Sequence, residues 1–354
     1  MTDLNVRQAP ELGWGILGTG YIADLFAADL PAAGQGRVRA VASRDADRAA
    51  TFAAQHGIGT AYDSYEALLA DPDVDCVYLA LPNHLHLEWT EQAARAGKHI
   101  LCEKPLAMTA REAAQAVATA RRHDVVLLEG FMYRMHPQIT ELTRLLEAGT
   151  IGEVRLLEAS FGGNLHGRYD NYRMQRAAGG GALMDVGCYG VSMARLVAGA
   201  QSGRPFAEPV SVQGTGRIGR RSQVDEWSAA VLSFDGPLVA TIICGNQVDI
   251  ASRVRIWGSE GSAELTNPWQ PATFRGPGRL LVHADSTTDP EVRVIDTDRP
   301  LYALEADAFA QVVRTGQIPA PVMSPEDSLG NMRVLDSWRR AIGLTFDQDR
   351  EDGE

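Results

Sequence analysis

Trp14-Gly15-Ile16-Leu17-Gly18-Thr19-Gly20-Tyr21-Ile22-Ala23 is the stretch that decides the fold of this chain. A short apolar run ends on G-x-G-x-x-A, and an amphipathic, alanine-containing segment follows. Between a strand and a helix, the first glycine permits a tight turn and the second lets a pyrophosphate approach the backbone. The small Ala23 lets helix and strand pack closely. Without that setting the same glycines are an ordinary turn. The backbone of Gly18, Thr19, Gly20, Tyr21 and Ile22 is therefore the expected seat of a dinucleotide.

Outward from this loop, apolar runs over 37–42, 76–81, 99–102 and 125–128 alternate with helical patterns over 46–56, 64–70, 86–96 and 109–123. Such alternation implies a parallel sheet covered on both faces, because each crossover helix packs back on the sheet. Beyond Pro137 the rhythm changes. Helices are expected over 138–147 and 182–196, and strand-like runs dominate from 210 to 295. Runs 227–234 and 238–244 flank Asp235-Gly236-Pro237 as a hairpin, and 254–257 and 262–265 flank Gly258-Ser259-Glu260-Gly261 likewise. Helices over 301–315 and 325–343 close the chain, the second with Ser324 as N-cap and Pro325 at its first position.

The expected fold class is thus α/β: an N-terminal Rossmann domain (doubly wound parallel sheet) over 1–135, then a C-terminal α+β domain over 136–354 with a large, mostly antiparallel open sheet. A one-sided apolar sheet is rarely left bare. A homodimer or homotetramer through that sheet is the consequence.

The end of the second strand reads Val41-Ala42-Ser43-Arg44-Asp45. A site for NAD places a carboxylate at that tip for the ribose 2′-hydroxyl, whereas NADP needs a hydroxyl and a cation for the 2′-phosphate. Ser43 and Arg44 occupy the tip, Asp45 falls late enough to cap the next helix, and Arg48 lies one turn on. NADP is the expected cofactor, with NAD as a possible second.

With 354 residues and a formal net charge of -12, the chain suits two domains sharing a cleft and repels nucleic acid and anionic membranes. Its start, MTDLNVRQAPELG, has no apolar core of leader length, and no run of about 18 apolar residues follows. A cytoplasmic protein is expected. Cys76, Cys102, Cys188 and Cys244 are far apart and read as buried thiols, and no metal is expected. His84 and His86 are the weak exception, being two apart at a strand end.

In an open parallel sheet the ligand lies beyond the carboxyl ends of the strands. Leu81-Pro82-Asn83-His84 and Glu103-Lys104-Pro105 end strands there. A partly desolvated Lys104 has a lowered proton affinity, which suits acid/base work; the alternative is an ion pair with Glu103. In Gly179-Gly180-Gly181-Ala182-Leu183-Met184-Asp185-Val186-Gly187-Cys188-Tyr189, a helix places Asp185 and Tyr189 four apart on one face. The glycines let its N-terminus approach a ligand. A helix cap and a buried tyrosine with a satisfied hydroxyl is the other reading.

These segments, with VASRDADRAATFA, VYLALPNHLHLEWT, HILCEKPLA, LLEGFMYRMHP and the terminal MRVLDSWRRAIGL, resemble the glucose-fructose oxidoreductase / inositol dehydrogenase / MocA family along essentially the whole chain. The likeness is greatest to its branch of NADP-dependent xylose dehydrogenases and dimeric dihydrodiol dehydrogenases. The resemblance implies hydride transfer between a nicotinamide and a sugar or sugar derivative, with Lys104, Asp185 and Tyr189 as the catalytic set. Many relatives have histidine where Tyr189 stands. Tyr189 is then the proton donor and acceptor, its pKa lowered by Lys104, with Asp185 as a hydrogen-bond partner. The resemblance also implies a cis bond before Pro105, and a nicotinamide ribose lined by Leu81, Pro82, Asn83 and His86, beside Glu103. Arg134 is the expected junction contact. Asn164, His166, Asn171, Tyr172, Arg173 and Arg176 are expected to set specificity, with Asn171, Arg173 and Tyr189 on the substrate. A sugar-nucleotide ketoreductase and a non-catalytic NADP-binding regulator are the alternatives.

Overall fold

The computed structural model describes residues 11–271, 276–284 and 289–352, so most of the N-terminal segment read for a leader lies outside the described residues. The first half of the chain builds β1 (Leu12–Leu17), α1 (Tyr21–Asp29), β2 (Gly36–Ala42), α2 (Ala46–His56), β3 (Thr60–Tyr62), α3 (Tyr65–Leu69) and β4 (Cys76–Leu79). It continues with α4 (His86–Arg95), β5 (His99–Glu103), α5 (Ala110–Arg122) and β6 (Leu127–Gly130). All pairs are parallel in the order β3-β2-β1-β4-β5-β6. The order reverses at β1, so the carboxyl ends of β1 and β4 open the crevice in which such sheets bind ligands.

Side chains set the helix starts. Asp45, Ser64 and Thr109 accept from the backbone N–H of Arg48, Ala67 and Glu112 at 3.1, 3.2 and 3.1 Å, engaging donors that a helix leaves free. The short β3 was not expected, since Thr60 to Tyr62 has too few residues for a periodic signal. Strand β4 stops at Leu79 rather than 81, and Leu81 and Pro82 lie beyond its carboxyl end.

The rest comprises α6 (Pro137–Glu147), β7 (Val154–Gly162), α7 (Cys188–Ala200), β8 (Pro209–Ile218), β9 (Asp225–Phe234), β10 (Val239–Gly245), β11 (Arg253–Gly258) and β12 (Ser262–Leu265). Next come β13 (Gly278–His283), β14 (Glu291–Ile295), α8 (Leu301–Thr315) and α9 (Pro325–Ala341). One eight-stranded sheet forms in the order β14-β13-β12-β11-β7-β10-β9-β8. Both expected hairpins are present. One of the two middle strands, β7, lies upstream of the region expected to hold strands, and it pairs parallel with β10.

Helices α6, α7 and α9 lie on one face, and α7 is buried along its whole length. The other face exposes Leu156 beside Trp257, with Val231, Ile243 and Trp227 near them. Helix α8 returns to the first sheet: Phe309 packs on Trp14 at 5.0 Å between ring centroids, and the Tyr302 N–H donates to Asp29 at 3.3 Å. Helix α9 reaches α5, where Asp336 accepts from the Ala110 N–H at 2.9 Å. The two layers therefore share a wide junction. Among the described residues no helix is long and apolar enough to cross a membrane, and no group of three His, Cys, Asp or Glu side chains is placed to hold a metal.

Candidate active site

The dinucleotide end is built from backbone. Gly18 has φ 103°, and a Cβ there would come within 2.6 Å of the Ala80 carbonyl oxygen, so both conformation and space demand glycine. Gly20 precedes α1 without a side-chain cap and has nothing within 4 Å of where its Cβ would be. Asp24, in the first turn, faces away to Gln55 and His56 at 2.7 and 2.9 Å. The free N–H groups of this turn, flanked by Thr19, Tyr21 and Ile22, fit a pyrophosphate.

At the tip of β2, Asp45 caps α2, leaving the cation beside it free of that carboxylate. Arg44 is exposed and lies against the Tyr65 hydroxyl, with Arg48 near the same group. Ser43 is buried and its Oγ accepts from the Asp45 N–H at 3.3 Å; its hydroxyl proton remains to be donated. The set fits a 2′-phosphate better than a 2′-hydroxyl.

The Leu81 to His86 segment is more occupied than expected. The Asn83 amide donates to the Gly179 carbonyl at 2.8 Å, tying the crevice to the triple glycine. Leu81 is buried in the core and Pro82 is half-buried. His86 is fully buried with its ring nitrogens 2.8 Å from the carbonyls of Leu81 and Pro105, leaving neither for a ribose. It is a strut between the two strand-end loops. Glu103 is buried too, accepting from the Tyr78 hydroxyl and from the Lys104 N–H at 3.2 Å. Arg134 also departs from expectation. It is 1% exposed and bound to the Ser192 hydroxyl and carbonyl at 2.7 and 2.9 Å and to Asp327 at 3.4 Å, so it fastens the junction from inside.

Lys104 follows β5, and its peptide bond to Pro105 is cis, as the resemblance implies. Its Nζ donates to the Asp185 carbonyl at 2.7 Å and the Asp185 carboxylate at 3.3 Å, not to Glu103. Arg173 Nε stands 3.3 Å from the same carboxylate oxygen. Burial pulls the Lys104 pKa down, but Asp185, Cys188, Glu103 and Tyr172 outweigh it and the net shift is upward. The expected weakening of Lys104 is therefore reversed by the paired carboxylate. Burial likewise pushes Asp185 up, and Arg173 and Lys104 overcome it to hold the carboxyl low. The pair is ionised.

Tyr189 is 4% exposed among Phe131, Tyr133, Phe161 and Trp269, and Lys104 Nζ sits over its ring at 5.2 Å from the centroid. Its hydroxyl donates to the Met132 thioether at 3.5 Å. Burial, then Glu103 and other neighbours, raises its pKa well above 10. Lys104 thus does not lower the phenol's pKa as expected, because the ammonium meets the ring face rather than the hydroxyl. Tyr189 is a neutral phenol at neutral pH.

Asp185 sits in a π-helical turn, Leu183–Gly187, that precedes α7, so the expected continuous α-helix is widened at the residue the site uses. The triple glycine admits protein rather than ligand: Gly179 meets Met108 and Asn83, Gly180 the Arg173 carbonyl, and Gly181 the Asp225 carboxylate. Asp225 accepts from the Leu183 N–H at 2.9 Å, capping the turn from β9, and burial raises its pKa to about 7. Nothing local in the sequence announces that role, which pairs residues 42 apart.

Of the specificity loop, Asn171 accepts from the Arg173 N–H at 3.0 Å and shapes the turn that aims Arg173 inward. Arg176 bonds outward to Thr345 and Asp347, and His166 is exposed. Of these Arg173 reaches the centre, with Tyr172 beneath its guanidinium at 5.6 Å from the ring centroid and near enough to act on Lys104.

Comparison with known proteins gives a consistent picture. Residues 12–131 match the GFO/IDH/MocA oxidoreductase family with NAD-binding Rossmann fold, and 139–264 match the GFO/IDH/MocA C-terminal domain. The chain is 35% identical to a D-xylose 1-dehydrogenase (NADP(+)) of Haloferax volcanii, over 92% of this chain and 95% of that one. It is 34% identical to trans-1,2-dihydrobenzene-1,2-diol dehydrogenase of Danio rerio, over 96% and 99%. A 3-ketoreductase of Actinomadura kijaniata, solved with NADP and TDP-benzene, superposes with a TM-score of 0.83 at 31% identity, over 94% and 98%.

Proposed function

The chain belongs to the GFO/IDH/MocA oxidoreductase family, and from that premise we propose that it is an NADP-dependent enzyme interconverting a hydroxyl and a carbonyl on a sugar or sugar derivative. The observation that carries the reading is the ionised Lys104–Asp185 pair, with Lys104 over the Tyr189 ring, at the carboxyl end of β5, on the same edge of the parallel sheet as the open α1 N-terminus.

The backbone at Gly18 to Ile22 would hold the pyrophosphate, and Ser43 and Arg44 the 2′-phosphate. NADP, when bound, supplies the hydride donor or acceptor at nicotinamide C4. The chain's own work is placement and proton handling. Lys104 stays charged and stabilises negative charge growing on the substrate oxygen. Tyr189, neutral, gives its hydroxyl proton to that oxygen in reduction and takes it back in oxidation. A thioether is a weak acceptor, so the substrate oxygen replaces Met132 at the hydroxyl with little loss. Asp185 orients Lys104, and Arg173 brings a second cation to the same point.

Turnover of NADP(H) against a panel of pentoses, hexoses and keto sugars tests the reading. NADPH oxidation or NADP reduction with at least one of them is expected, and none with any sugar would overturn it.

One observation favours a sugar nucleotide as the substrate. Arg221, in the turn between β8 and β9, stacks on Tyr169 of the specificity loop at 4.4 Å, and with Arg220 beside it and Arg168 on the loop it exposes positive charge there on a net-acidic protein. The same panel extended to nucleoside-diphosphate sugars decides between the two, through a KM that rises with salt only for the charged substrate.

A further inference from the structure

The shorter of the two bonds from Lys104 Nζ goes to the Asp185 main-chain carbonyl, at 2.7 Å against 3.3 Å to the carboxylate. Backbone position, and not side-chain rotation alone, therefore sets the geometry of the pair. Each partner stands on a turn, Lys104 directly after β5 and Asp185 in the π-helical turn before α7. Two residues beyond Lys104, the Leu106 N–H donates to Glu129 Oε1 at 2.8 Å. Two residues before Asp185, the Leu183 N–H donates to Asp225 Oδ2 at 2.9 Å. One of these carboxyls comes from β6 of the parallel sheet, and the other is the first residue of β9 in the large sheet.

Both anchors are enclosed: Glu129 is 5% exposed and Asp225 not at all. The Asp225 oxygen that takes the Leu183 N–H also accepts from the Ser228 hydroxyl at 3.1 Å, which fixes its rotamer. The other oxygen lies against Gly181, where φ is 119° and a Cβ would come within 2.2 Å of it. The Gly181 carbonyl in turn accepts from the Asp185 N–H at 3.0 Å. Asp225 thus bears on Asp185 by two backbone routes. Burial raises both carboxyls to about 7. A carboxyl taken out of water is costly to keep, so two of them at matching places on the two turns call for a use.

We propose that Glu129 and Asp225 are positioning residues, one from each sheet, which hold the Lys104 and Asp185 turns at the separation that closes the ion pair. An N–H anchored on a buried, rigid acceptor keeps its turn from drifting, and a misplacement of about 1 Å can cost two orders of magnitude in rate. The kinetic part rests on the oxidoreductase reading above; the titration of Lys104 does not.

The chain has two lysines, Lys98 and Lys104, so carbon NMR of labelled lysine follows Lys104 directly. The groups that act on Lys104 are Asp185, Cys188, Glu103 and Tyr172, with Arg173 on the same Asp185 oxygen. None is altered in the test. In the full-length chain, Glu129→Met and Asp225→Ala remove the acceptor, and each should lower the Lys104 pKa by about one unit, because a looser pair lets burial dominate. kcat should fall about tenfold or more in each, with NADPH affinity unchanged within about twofold. Glu129→Gln and Asp225→Asn keep a carbonyl oxygen for the same N–H and should recover most of both losses. If the first two variants do not fold, Glu129→Asp and Asp225→Ser draw the acceptor back and should give smaller shifts of the same sign. A Lys104 titration that stays in place in the folded variants, whatever their melting temperature, overturns the proposal. So does a Gln or Asn variant whose Lys104 pKa falls as far as that of its Met or Ala counterpart, which would mark a loss of charge rather than of position. Failure of the unaltered protein to turn over any sugar would strike the functional reading, and the Lys104 titration would still decide whether the two carboxyls align the pair.

Discussion

The two ends of the crevice are made differently. The dinucleotide end is open: the first turn of α1 has no side-chain cap, Gly20 faces open space and Arg44 is exposed. At the Lys104 end the charged groups are already paired. Lys104 holds Asp185, Arg173 holds the same carboxylate, and His86 and Arg134 are buried supports. An open end can be occupied without rearrangement, whereas a saturated end keeps its charges aligned before the substrate arrives. Binding and chemistry should therefore separate on mutation.

The largest expected effect is at the saturated end. Lys104→Met and Tyr189→Phe should each lower kcat by about two to four orders of magnitude, while NADPH affinity changes little. The double variant should lose far less than the product of the single losses, because the two act as a unit. Steady-state kinetics with nucleotide titration checks this, and equal losses of turnover and nucleotide affinity would break the contrast.

Next in size is the open end. Arg44→Ala should weaken NADP(H) binding about ten- to hundredfold and NAD(H) binding much less, as for loss of a charge-assisted contact to a phosphate. Calorimetry with both nucleotides measures it; equal losses would remove Arg44 from the 2′-phosphate.

The pH dependence sharpens the assignment of the proton. Because burial raises the Tyr189 pKa well above 10, the phenol is a donor throughout the neutral range. Reduction should be flat with pH there, while oxidation, which needs the deprotonated form, should climb without a plateau up to about pH 9. A plateau in oxidation near neutrality would assign the proton to another group.

Away from the crevice, the exposed row of Leu156 and Trp257 is expected to form a two-fold interface. Light scattering should show at least a dimer, and Leu156→Arg should shift it toward monomer. The smallest effect is on stability. Asp225 and Glu129 are buried and held at about 7. At these two groups the folded protein binds more protons than the unfolded chain between about pH 4 and 7, so their contribution to stability is greatest at the acid side and is lost as pH rises through that window. Asp225→Asn, which keeps an acceptor for the Leu183 N–H, should flatten that slope and raise the melting temperature at pH 8 by a few degrees.

Much of this was legible without coordinates wherever the cause is local. The glycine loop, the Asp45 cap, the Ser43-Arg44 tip and both hairpins follow from residues within a few positions of one another. Phosphate loops, caps and tight turns are decided by neighbouring φ, ψ and N–H groups. Lys104, Asp185 and Tyr189 could be named as candidates for the same reason. Their ionisation states could not, since these are set by what lies across the fold. The carboxylate that keeps Lys104 charged is 81 residues away, and the sulfur that receives the Tyr189 hydroxyl is 57 away. Strand β7 gives no such local signal, because it is central only through its pairing with β10 on one side and β11 on the other, both far along the chain. His86 and Arg134 look like ligand contacts in one dimension and are struts in three, because burial depends on elements that arrive later in the chain. Sequence by itself determined the class of fold and supplied the candidates for the nucleotide loop and the acid/base groups. Tertiary structure alone decided which of those groups are charged, which are free to meet a ligand and which are engaged in holding the others, because desolvation and pairing are properties of the assembled interior rather than of any segment.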